Sequence, residues 1–418
     1  MVAVKFNIDE MQNQRKPKIA ITGMGVVSPL GIGIHGFSSG LWECRNTLRK
    51  LDLFETGIDS TPIVAQIDAL PTLKKIPGYR YSRTDTLAII AAEEALNRSC
   101  VNTKLFSDAG VIIASTVAGL TEIKPGLAKD PKQYYRQTGF AKLSTYQKGH
   151  LANVVSAKLG LKGPSLGISV ACASGAMAIA LGARMIQNGM VQRMLVGGSD
   201  ALCQFTISGF NALQIFDFEP CRPFDIVRKG LNIGEGAAIL VLENLESALS
   251  RKAPILGFLS GWGMTNDAYH ATAPHKDGVG LAQSIELALC SAKISADDID
   301  YVNAHGTGTD LNDIAEVNAY KKVFGSRKTC IPVSSTKSFF GHNLGAAGAI
   351  EAVVSLLCLH AGLIPPTLRL NTPINCDIVY WIKEKTLKKP VQRVLSVSAG
   401  FGGSNTSLIF ERWNGETE

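Results

Sequence analysis

The stretch SLGISVACASGAMAIALGARMIQNG, residues 165–189, decides the fold. Its first seven residues form an apolar run typical of a buried strand. Residues 174–189 carry apolar side chains at helical spacing and end on a glycine, which predicts a helix. A buried strand that runs directly into a helix is typical of an α/β fold, and Cys172 lies at this junction.

The rest of the first half alternates in the same way. KIAITGMGVVS (18–28) and AGVIIAST (109–116) predict strands, residues 86–99 predict a helix, and MLVGGSD and GAAILVLE predict two further strands. These apolar runs lack strict alternation, as expected of strands that are covered on both faces. The pattern therefore predicts a layered α/β fold.

The second half resembles a weaker copy of the first. The predicted elements are strands at 254–267, 298–306, 330–336 and 394–400 and helices at about 279–292, 311–324 and 345–361. We therefore predict two α/β halves, residues 1–252 and 253–418. The charged run KEKTLKK (383–389) predicts a solvated hairpin or loop.

The composition limits the possible classes of protein. The chain has 418 residues, of which 46% are hydrophobic and 18% are charged, so it can form large cores and is neither disordered nor fibrous. Lys and Arg (42) minus Asp and Glu (35) give a net charge of +7. This excess permits an acidic partner but is too small to indicate a nucleic-acid-binding tail.

The cysteines and apolar segments predict a cytoplasmic protein. The nine cysteines have neither zinc-finger nor redox-motif spacing and are odd in number, which favours reduced thiols: Cys44, Cys100, Cys172, Cys203, Cys221, Cys290, Cys330, Cys358 and Cys376. The first 20 residues lack the apolar core of a signal peptide. Helix 345–361 is strongly apolar but carries Glu351, so we interpret it as a core helix and predict no membrane span.

Three predicted strand ends carry reactive side chains. Cys172 precedes a helix whose N–H groups and positive dipole end favour a thiolate, although most free cysteines are buried structural residues. His305 follows a strand and precedes a Gly/Thr-rich loop, where it is either functional or a local cap. Lys337 and His342 lie in a third loop, between a strand and a Gly/Ala-rich helix.

Together these residues could form an acyl-transfer site. A thiolate can accept an acyl group as a thioester, and two imidazole N–H groups can hold a second thioester's oxygen while it becomes an enolate. Lys337 would add positive charge and influence the protonation states. The chain lacks the G-x-x-x-x-G-K-[ST] phosphate loop and the H-E-x-x-H zinc motif.

Five segments in order carry a resemblance to a known family: VACASGAMAIA, PFDIVRKGLNIGEGAAILVLE, NAHGTGT, SSTKSFFGHNLGAAGAIE and SAGFGGSNTSLIF. From Lys18 to Phe410 the chain resembles the elongating, two-histidine β-ketoacyl-acyl carrier protein synthases of type II fatty acid and polyketide synthesis. The resemblance implies a thiolase-like, five-layered α-β-α-β-α sandwich of two similar halves, usually dimeric.

The resemblance also implies a role for each matching residue. Cys172 matches the acyl-accepting nucleophile, His305 and His342 match the pair that supports decarboxylation, and Lys337 matches their partner lysine. The remaining matches are the oxyanion-hole N–H groups of Cys172 and Phe401, the gating phenylalanine Phe401, the pantetheine-contacting Thr307 and Thr309, and Glu351, an acid near the lysine.

The implied reaction is acyl transfer to Cys172, decarboxylation of malonyl-acyl carrier protein and Claisen condensation. It implies no metal, flavin or nucleotide, because both substrates are carried on phosphopantetheine. The partners implied are an acyl carrier protein and a second chain, either identical or a homologous chain-length factor. No cysteine stands in the C-x-G motif of thiolases, and initiating synthases carry Asn where His342 stands.

Several positions depart from the family pattern. Val170 stands where Thr is common, and Lys229 occupies a position that is usually acidic. Residues 145–154 are more polar than expected beside a fatty acyl pocket, either because the substrate is not a plain fatty acyl chain or because they form a surface. A polyketide or aryl polyene ketosynthase and a non-catalytic interaction subunit therefore stay as alternatives. The proposed contacts to an acidic carrier are Lys74, Lys75, Arg80 and Arg83.

Overall fold

The computed structural model describes residues 17–99, 106–122 and 144–415. The strands are β1 Ile19–Ser28, β2 Gly31–Ile32, β3 Arg49–Lys50, β4 Ile63–Val64, β5 Gly110–Ala114, β6 Ser165–Ile168, β7 Arg193–Asp200, β8 Gly236–Asn244, β9 Gly257–Asn266, β10 Tyr301–Asn303, β11 Ile331–Ser334, β12 Leu363–Ile364, β13 Val379–Trp381, β14 Leu387–Lys388, β15 Arg393–Gly400 and β16 Ser404–Glu411.

The α-helices lie between these strands. They are α1 Gly33–Trp42, α2 Arg83–Arg98, α3 Lys148–Leu159, α4 Ser174–Gln187, α5 Gln204–Ala212, α6 Leu245–Ser250, α7 Val279–Ala292, α8 Asp310–Phe324, α9 Lys337–Phe340 and α10 Ala347–Ala361. Local chemistry explains several of their ends. Helix α2, for example, begins at a capping box in which Ser82 and Asp85 satisfy each other's backbone N–H groups.

Two successive sets of elements repeat the same order. The first set runs β1, α2, β5, α3, β6, α4, β7, β8, and the second runs β9, α7, β10, α8, β11, α10, β15, β16. The main sheet has the order β13-β11-β10-β15-β16-β9-β1-β8-β7-β5-β6, with the two sets joined where β1 pairs with β9. The predicted duplication is visible in this order, whereas the exact boundary between residues 252 and 253 stays a prediction.

The helices form three layers around the strands. Helices α4 and α10 pack against each other and against strands of both sets. Helices α2 and α3 cover the outer face of the first set, and α7 and α8 lie outside the second. The result is the five-layered α-β-α-β-α arrangement that the family resemblance implies.

The central helix α10 is buried on nearly every side, because it lies between two layers of strands. A Cβ on its Gly348 would lie 2.8 Å from both Cβ and N of Ala176, so glycine allows α4 and α10 to approach closely. Among the described helices, residues 344–361 alone have the length and composition of a membrane span, but 89% of that segment is buried inside the fold. The prediction of a core helix is confirmed.

The shorter predicted features also have clear positions. Leu387–Lys388, within the charged run 383–389, pairs with Leu363–Ile364 in a small ribbon outside the main sheet. The strand predicted at 298–306 is shorter, Tyr301–Asn303, because Ala296–Asp298 form a short 3-10 helix and the chain leaves the strand after Asn303. Cys100 lies outside the described residues, and the eight described cysteines are free.

Candidate active site

One cavity of about 360 Å³ brings together the side chains from the predicted strand ends. Cys172 comes from the junction of β6 and α4, His305 follows β10, and His342 lies between α9 and α10. All three line the cavity, as do Thr307, Thr309 and Phe401. Lys337 and Glu351 lie behind this wall and are almost completely buried.

A strained turn presents the Cys172 thiol. Ala171 has a positive φ of 50°, a conformation that is costly for a non-glycine residue. The Ser174 hydroxyl donates to the Ala171 carbonyl and accepts a hydrogen bond from the Val170 N–H at 2.7 Å. These bonds hold the turn, so the thiol is placed at the start of α4 and at the bottom of the cavity.

The loop around Phe401 closes against this turn. A Cβ on Gly400 would lie 3.0 Å from Cys172 N and 3.1 Å from Ala173 N, so only glycine fits this approach without a shift. The Phe401 N–H lies near the Cys172 thiol and acts to lower its pKa. This places a backbone donor beside the sulfur, where the oxygen of a bound thioester would develop charge.

The electrostatics of Cys172 differ from the prediction of a helix-stabilised thiolate. Burial is the largest influence and raises the pKa of the thiol to about 12. The positive charge of Lys337 and the Phe401 N–H act in the lowering direction, whereas the carboxylates of Asp200 and Glu351 act in the raising direction. The resting thiol is therefore protonated at neutral pH.

Lys337 determines which nitrogen of His305 carries a proton. Its Nζ lies 3.3 Å from His305 Nδ1, donates to the His305 carbonyl at 2.5 Å, and forms a buried ion pair with Glu351. Because an ammonium can only donate, Nδ1 must accept. The proton of a neutral His305 therefore resides on Nε2, the other ring nitrogen.

His342 completes a pair of neutral imidazoles. Its ring centroid lies 5.3 Å from that of His305, with the two planes at 85°. Burial, followed by the charge of Lys337, lowers the pKa of both imidazoles well below the usual value. Both ring nitrogens of His342 are buried and have no hydrogen-bond partner among the described residues, so they are available to a ligand in the cavity.

Two carboxylates that sequence reasoning did not identify support the site. Glu316 of α8 accepts from the backbone N–H groups of His305 (2.7 Å) and Gly306 (2.8 Å) and from Tyr320. Burial raises the pKa of Glu316 to about 7. Its position about two helical turns after the Gly/Thr-rich loop was the available signal.

The second of these is Asp200, at the end of β7. Its carboxylate accepts bonds from Ser115, Thr116 and Val117, and also from the Gly345 N–H at 2.7 Å. It therefore ties the end of β5 to the start of α10. The acidic end of MLVGGSD was its sequence signal, since charged residues at strand ends often have a role.

The cavity mouth contains polar and apolar groups. Thr307 and Thr309 share a hydrogen bond of 2.8 Å between their hydroxyls. Phe401, for which the resemblance implies a gating role, stacks on Phe210 with centroids 5.8 Å apart. Lys229, the departure from the acidic family pattern, is exposed and lines the mouth.

The predicted carrier contacts divide into two groups. Lys74, Lys75 and Arg80 are exposed. The Arg83 guanidinium instead donates to both oxygens of the buried Glu235 and to the Ile67 carbonyl. Arg83 is therefore engaged within the fold and is a poor carrier contact, which corrects that part of the prediction.

The polar segment 145–154 divides in the same way. Thr145 is buried, whereas Tyr146 is exposed. Lys148 is half-buried, donates to the Thr116 carbonyl, and lies in the field of Asp200. Part of this segment therefore packs against the residues that follow β5, and is more than a surface.

Models of the two β-ketoacyl synthase domains match this chain. The N-terminal domain model matches residues 16–248, and the C-terminal domain model matches residues 256–371. The chain belongs to the β-ketoacyl synthase family. The predicted family and the class of condensing acyltransferase are confirmed.

Relatives and solved structures agree with this assignment. The chain is 34% identical over 421 residues to a 3-oxoacyl-[acyl-carrier-protein] synthase 2 of Synechocystis sp., covering 96% of this chain and all of the relative. The ishigamide ketosynthase/chain length factor has a TM-score of 0.90 at 29% identity, covering 96% of this chain and 100% of that chain. A type II polyketide ketosynthase in complex with its acyl carrier protein has a TM-score of 0.86 at 29% identity, with the same coverage.

Proposed function

We propose that this β-ketoacyl synthase condenses an acyl group on Cys172 with malonyl-acyl carrier protein to give β-ketoacyl-acyl carrier protein. The observation that carries the proposal is the arrangement of one thiol and two unprotonated imidazoles on a single cavity. A thiol that accepts an acyl group and two N–H donors that stabilise an enolate are the groups that such a condensation needs.

In the first step the Cys172 sulfur attacks the carbonyl carbon of the incoming acyl thioester. The N–H groups of Phe401 and Cys172 stabilise the oxyanion. The bond to the pantetheine sulfur then breaks, and that sulfur leaves with the proton that the thiol gives up. Direct acyl transfer thus avoids the free-energy cost of burying a thiolate, because the negative charge never persists on the Cys172 sulfur.

In the second step the two histidines bind the malonyl thioester. His305 Nε2–H and an N–H of His342 donate to the thioester oxygen while the bond to CO2 breaks and its electron pair forms the enolate. The enolate carbon attacks the acyl carbonyl on Cys172, the carbon–sulfur bond breaks, and the sulfur leaves as a thiolate that takes a proton from water. Lys337 and Glu351 position His305 rather than react.

The substrates come to the site on the phosphopantetheine of an acyl carrier protein. Thr307 and Thr309 line the route to Cys172 and offer hydroxyls to the amides of the arm. The chemistry of the two steps uses groups of this chain and the arm alone. We therefore assign the chain no further cofactor.

The chain acts as a dimer in this proposal. Strand β6 pairs with β5 on one side and, among the residues that the structure describes, forms the edge of the main sheet on the other. Its Leu166 is 40% exposed, and the strand leads directly to Cys172. An exposed edge strand with apolar residues favours pairing with a second chain, either identical or a homologous chain-length factor.

A polyketide or aryl polyene pathway is the second candidate for the same chemistry. The structural likeness to the ishigamide ketosynthase/chain length factor and to a type II polyketide ketosynthase supports this candidate. A solely non-catalytic role is disfavoured, because the thiol, the imidazoles and their supporting lysine share one intact site.

The test follows both half-reactions on one sample. The chain is incubated with acyl carrier proteins bearing fatty or polyene acyl groups, and the acylated peptide is located by mass spectrometry. Malonyl-acyl carrier protein is then added, and CO2 and β-ketoacyl product are measured. We expect acylation at Cys172 and CO2 release with at least one carrier; absence of both with every carrier would refute the proposal.

A further inference from the structure

The two histidines of the cavity are held in different ways. The Lys337 ammonium fixes the His305 ring, and the Glu316 carboxylate accepts from the His305 backbone N–H. Both ring nitrogens of His342, in contrast, have no hydrogen-bond partner among the described residues. The place of the His342 ring therefore depends on the backbone of the loop that carries it.

This loop is anchored on both sides of His342. The His342 N–H donates to the Asn232 carbonyl at 2.7 Å. The Gly345 N–H donates to a carboxylate oxygen of Asp200 at 2.7 Å. Between the two anchors Leu344 has a positive φ of 51°, a costly conformation that the contacts on either side must maintain. A Cβ on Gly345 would lie 2.7 Å from the same Asp200 oxygen, so a larger residue would push the loop off this anchor.

Asp200 itself is held by uncharged donors that follow β5. One carboxylate oxygen accepts from the Ser115 hydroxyl and, at 2.9 Å, from the Val117 N–H. The other accepts from the Thr116 hydroxyl at 2.7 Å, and the Thr116 N–H is shared between the two oxygens. Burial raises the pKa of Asp200, whereas these hydrogen bonds act to lower it. Because a buried carboxylate is costly without a cation, a positive charge close to it would stabilise the arrangement.

Lys148 supplies a positive charge through a single peptide group. The carbonyl oxygen of the peptide between Thr116 and Val117 accepts a hydrogen bond from the Lys148 ammonium. The N–H of the same peptide donates to Asp200. Opposite charges therefore lie at the two ends of one peptide dipole, where each strengthens the hydrogen bond that the other makes. The charge of Asp200 in turn favours the charged form of Lys148.

We propose that Lys148 and Asp200 act together to position His342 for decarboxylation. The inference rests on the proposed function, which gives His342 its role at the enolate. The connection runs from the ammonium through the 116–117 peptide to the carboxylate, and from there to the loop. Neither side chain is among the residues that line the described cavity, so both act through the loop rather than on the substrate. Acylation of Cys172 does not use His342 and should not need this pair.

The test measures the two half-reactions separately in Asp200→Asn, Lys148→Met and the double variant. Acylation of Cys172 by an acyl-loaded carrier is followed by mass spectrometry, and CO2 release from malonyl-pantetheine gives kcat and KM. We expect kcat to fall about 30-fold in Asp200→Asn and about fivefold in Lys148→Met, with KM nearly unchanged. Acylation by Asp200→Asn should stay at or above the wild-type rate, because loss of the negative charge favours the thiolate. A merely structural defect would slow both half-reactions and would overturn the inference.

The double variant shows whether the two side chains act as one unit. Its kcat should lie within about twofold of that of Asp200→Asn, because loss of the carboxylate already disconnects Lys148 from the loop. Single effects that multiply in the double variant would overturn the inference. If Asp200→Asn does not fold, Lys148→Met decides, since its amine is only half-buried. Wild-type kcat in a folded Lys148→Met variant would then overturn the inference.

The matched controls remove similar hydrogen bonds elsewhere. Lys158, also on α3, donates to the Lys74 carbonyl at 3.0 Å. Asp300, before β10, accepts from the N–H groups of Gln392 and Arg393. Lys158→Met and Asp300→Asn should leave kcat, KM and the acylation rate unchanged, and equal losses in these controls would overturn the inference. A wild-type chain that neither accepts an acyl group nor releases CO2 would instead overturn the proposed function.

Discussion

The two halves of the molecule use the same strand-to-helix junction in different ways. In the first half five residues, 169–173, connect β6 to α4 and carry Cys172. In the second half twelve residues, 335–346, connect β11 to α10 and carry Lys337 and His342. The short junction is a strained turn, whereas the long one contains the short helix α9.

This difference in length separates two kinds of chemistry. The short turn holds a single thiol against the Phe401 loop. The long junction has room for a lysine that reaches back to His305 and for a histidine that faces the cavity. The corresponding junctions of the two halves thus bring the proposed nucleophile and the proposed enolate-stabilising groups to one cavity.

The largest effect is expected when the short junction loses its thiol. Cys172→Ala should reduce condensation by about 10⁴-fold or more, because no acyl thioester can form. Product is measured by mass spectrometry of the carrier. The control Cys290→Ala, at an exposed cysteine of α7, should keep full activity. A Cys172→Ala variant that still condenses would contradict the assignment.

A smaller loss is expected when the long junction loses its lysine. Lys337→Met should lower condensation by about 100-fold, since the His305 tautomer is no longer fixed. It should also lower the free energy of unfolding by about 3 kcal/mol, because Glu351 is left as an unpaired buried carboxyl.

The double variant Lys337→Met/Glu351→Leu separates these two effects. Its stability in urea should return toward that of the wild type, because both charges of the pair are gone. Its condensation rate should stay low. Recovery of both quantities would show that the lysine acts only on stability.

The reactivity of the groups at the two junctions should also depend differently on pH. With the pKa of Cys172 raised to about 12, alkylation of this thiol by iodoacetamide should rise about tenfold per pH unit from 6 to 9, without a plateau. The imidazoles, whose pKa values are lowered, stay neutral as the pH falls through 6.5, so CO2 release should not fall there. An alkylation rate that levels off near pH 7 would instead indicate a helix-stabilised thiolate.

The smallest effect is expected from a change in the cavity wall that the pantetheine arm would contact. Thr309→Val removes one hydroxyl of the Thr307–Thr309 pair and should raise the KM for malonyl-pantetheine about three- to tenfold, with kcat nearly unchanged. Steady-state CO2 release measures both constants. A large fall in kcat at constant KM would place Thr309 in the chemistry rather than in arm binding.

Much of the site could be predicted because its residues lie at recognisable strand ends. The position of Cys172 between an apolar strand and a helix, and those of His305 and His342, were readable from residue type and spacing. The burial that raises the thiol pKa was not, since it depends on how closely the Phe401 loop approaches. Glu316 and Asp200 were missed for the same reason: their partners are backbone N–H groups that only the folded chain brings near.

The central claim is that the first junction accepts the acyl group and the second stabilises the enolate. It is tested most directly by a chase experiment on His342→Ala. The variant is incubated with acyl-loaded acyl carrier protein, and the mass of the Cys172 peptide is measured by mass spectrometry. Malonyl-acyl carrier protein is then added. We predict wild-type acylation of Cys172, followed by an adduct that persists with CO2 release at least 100-fold slower than in the wild type. Failure to acylate Cys172, or consumption of the adduct at the wild-type rate, would contradict the assignment of separate roles.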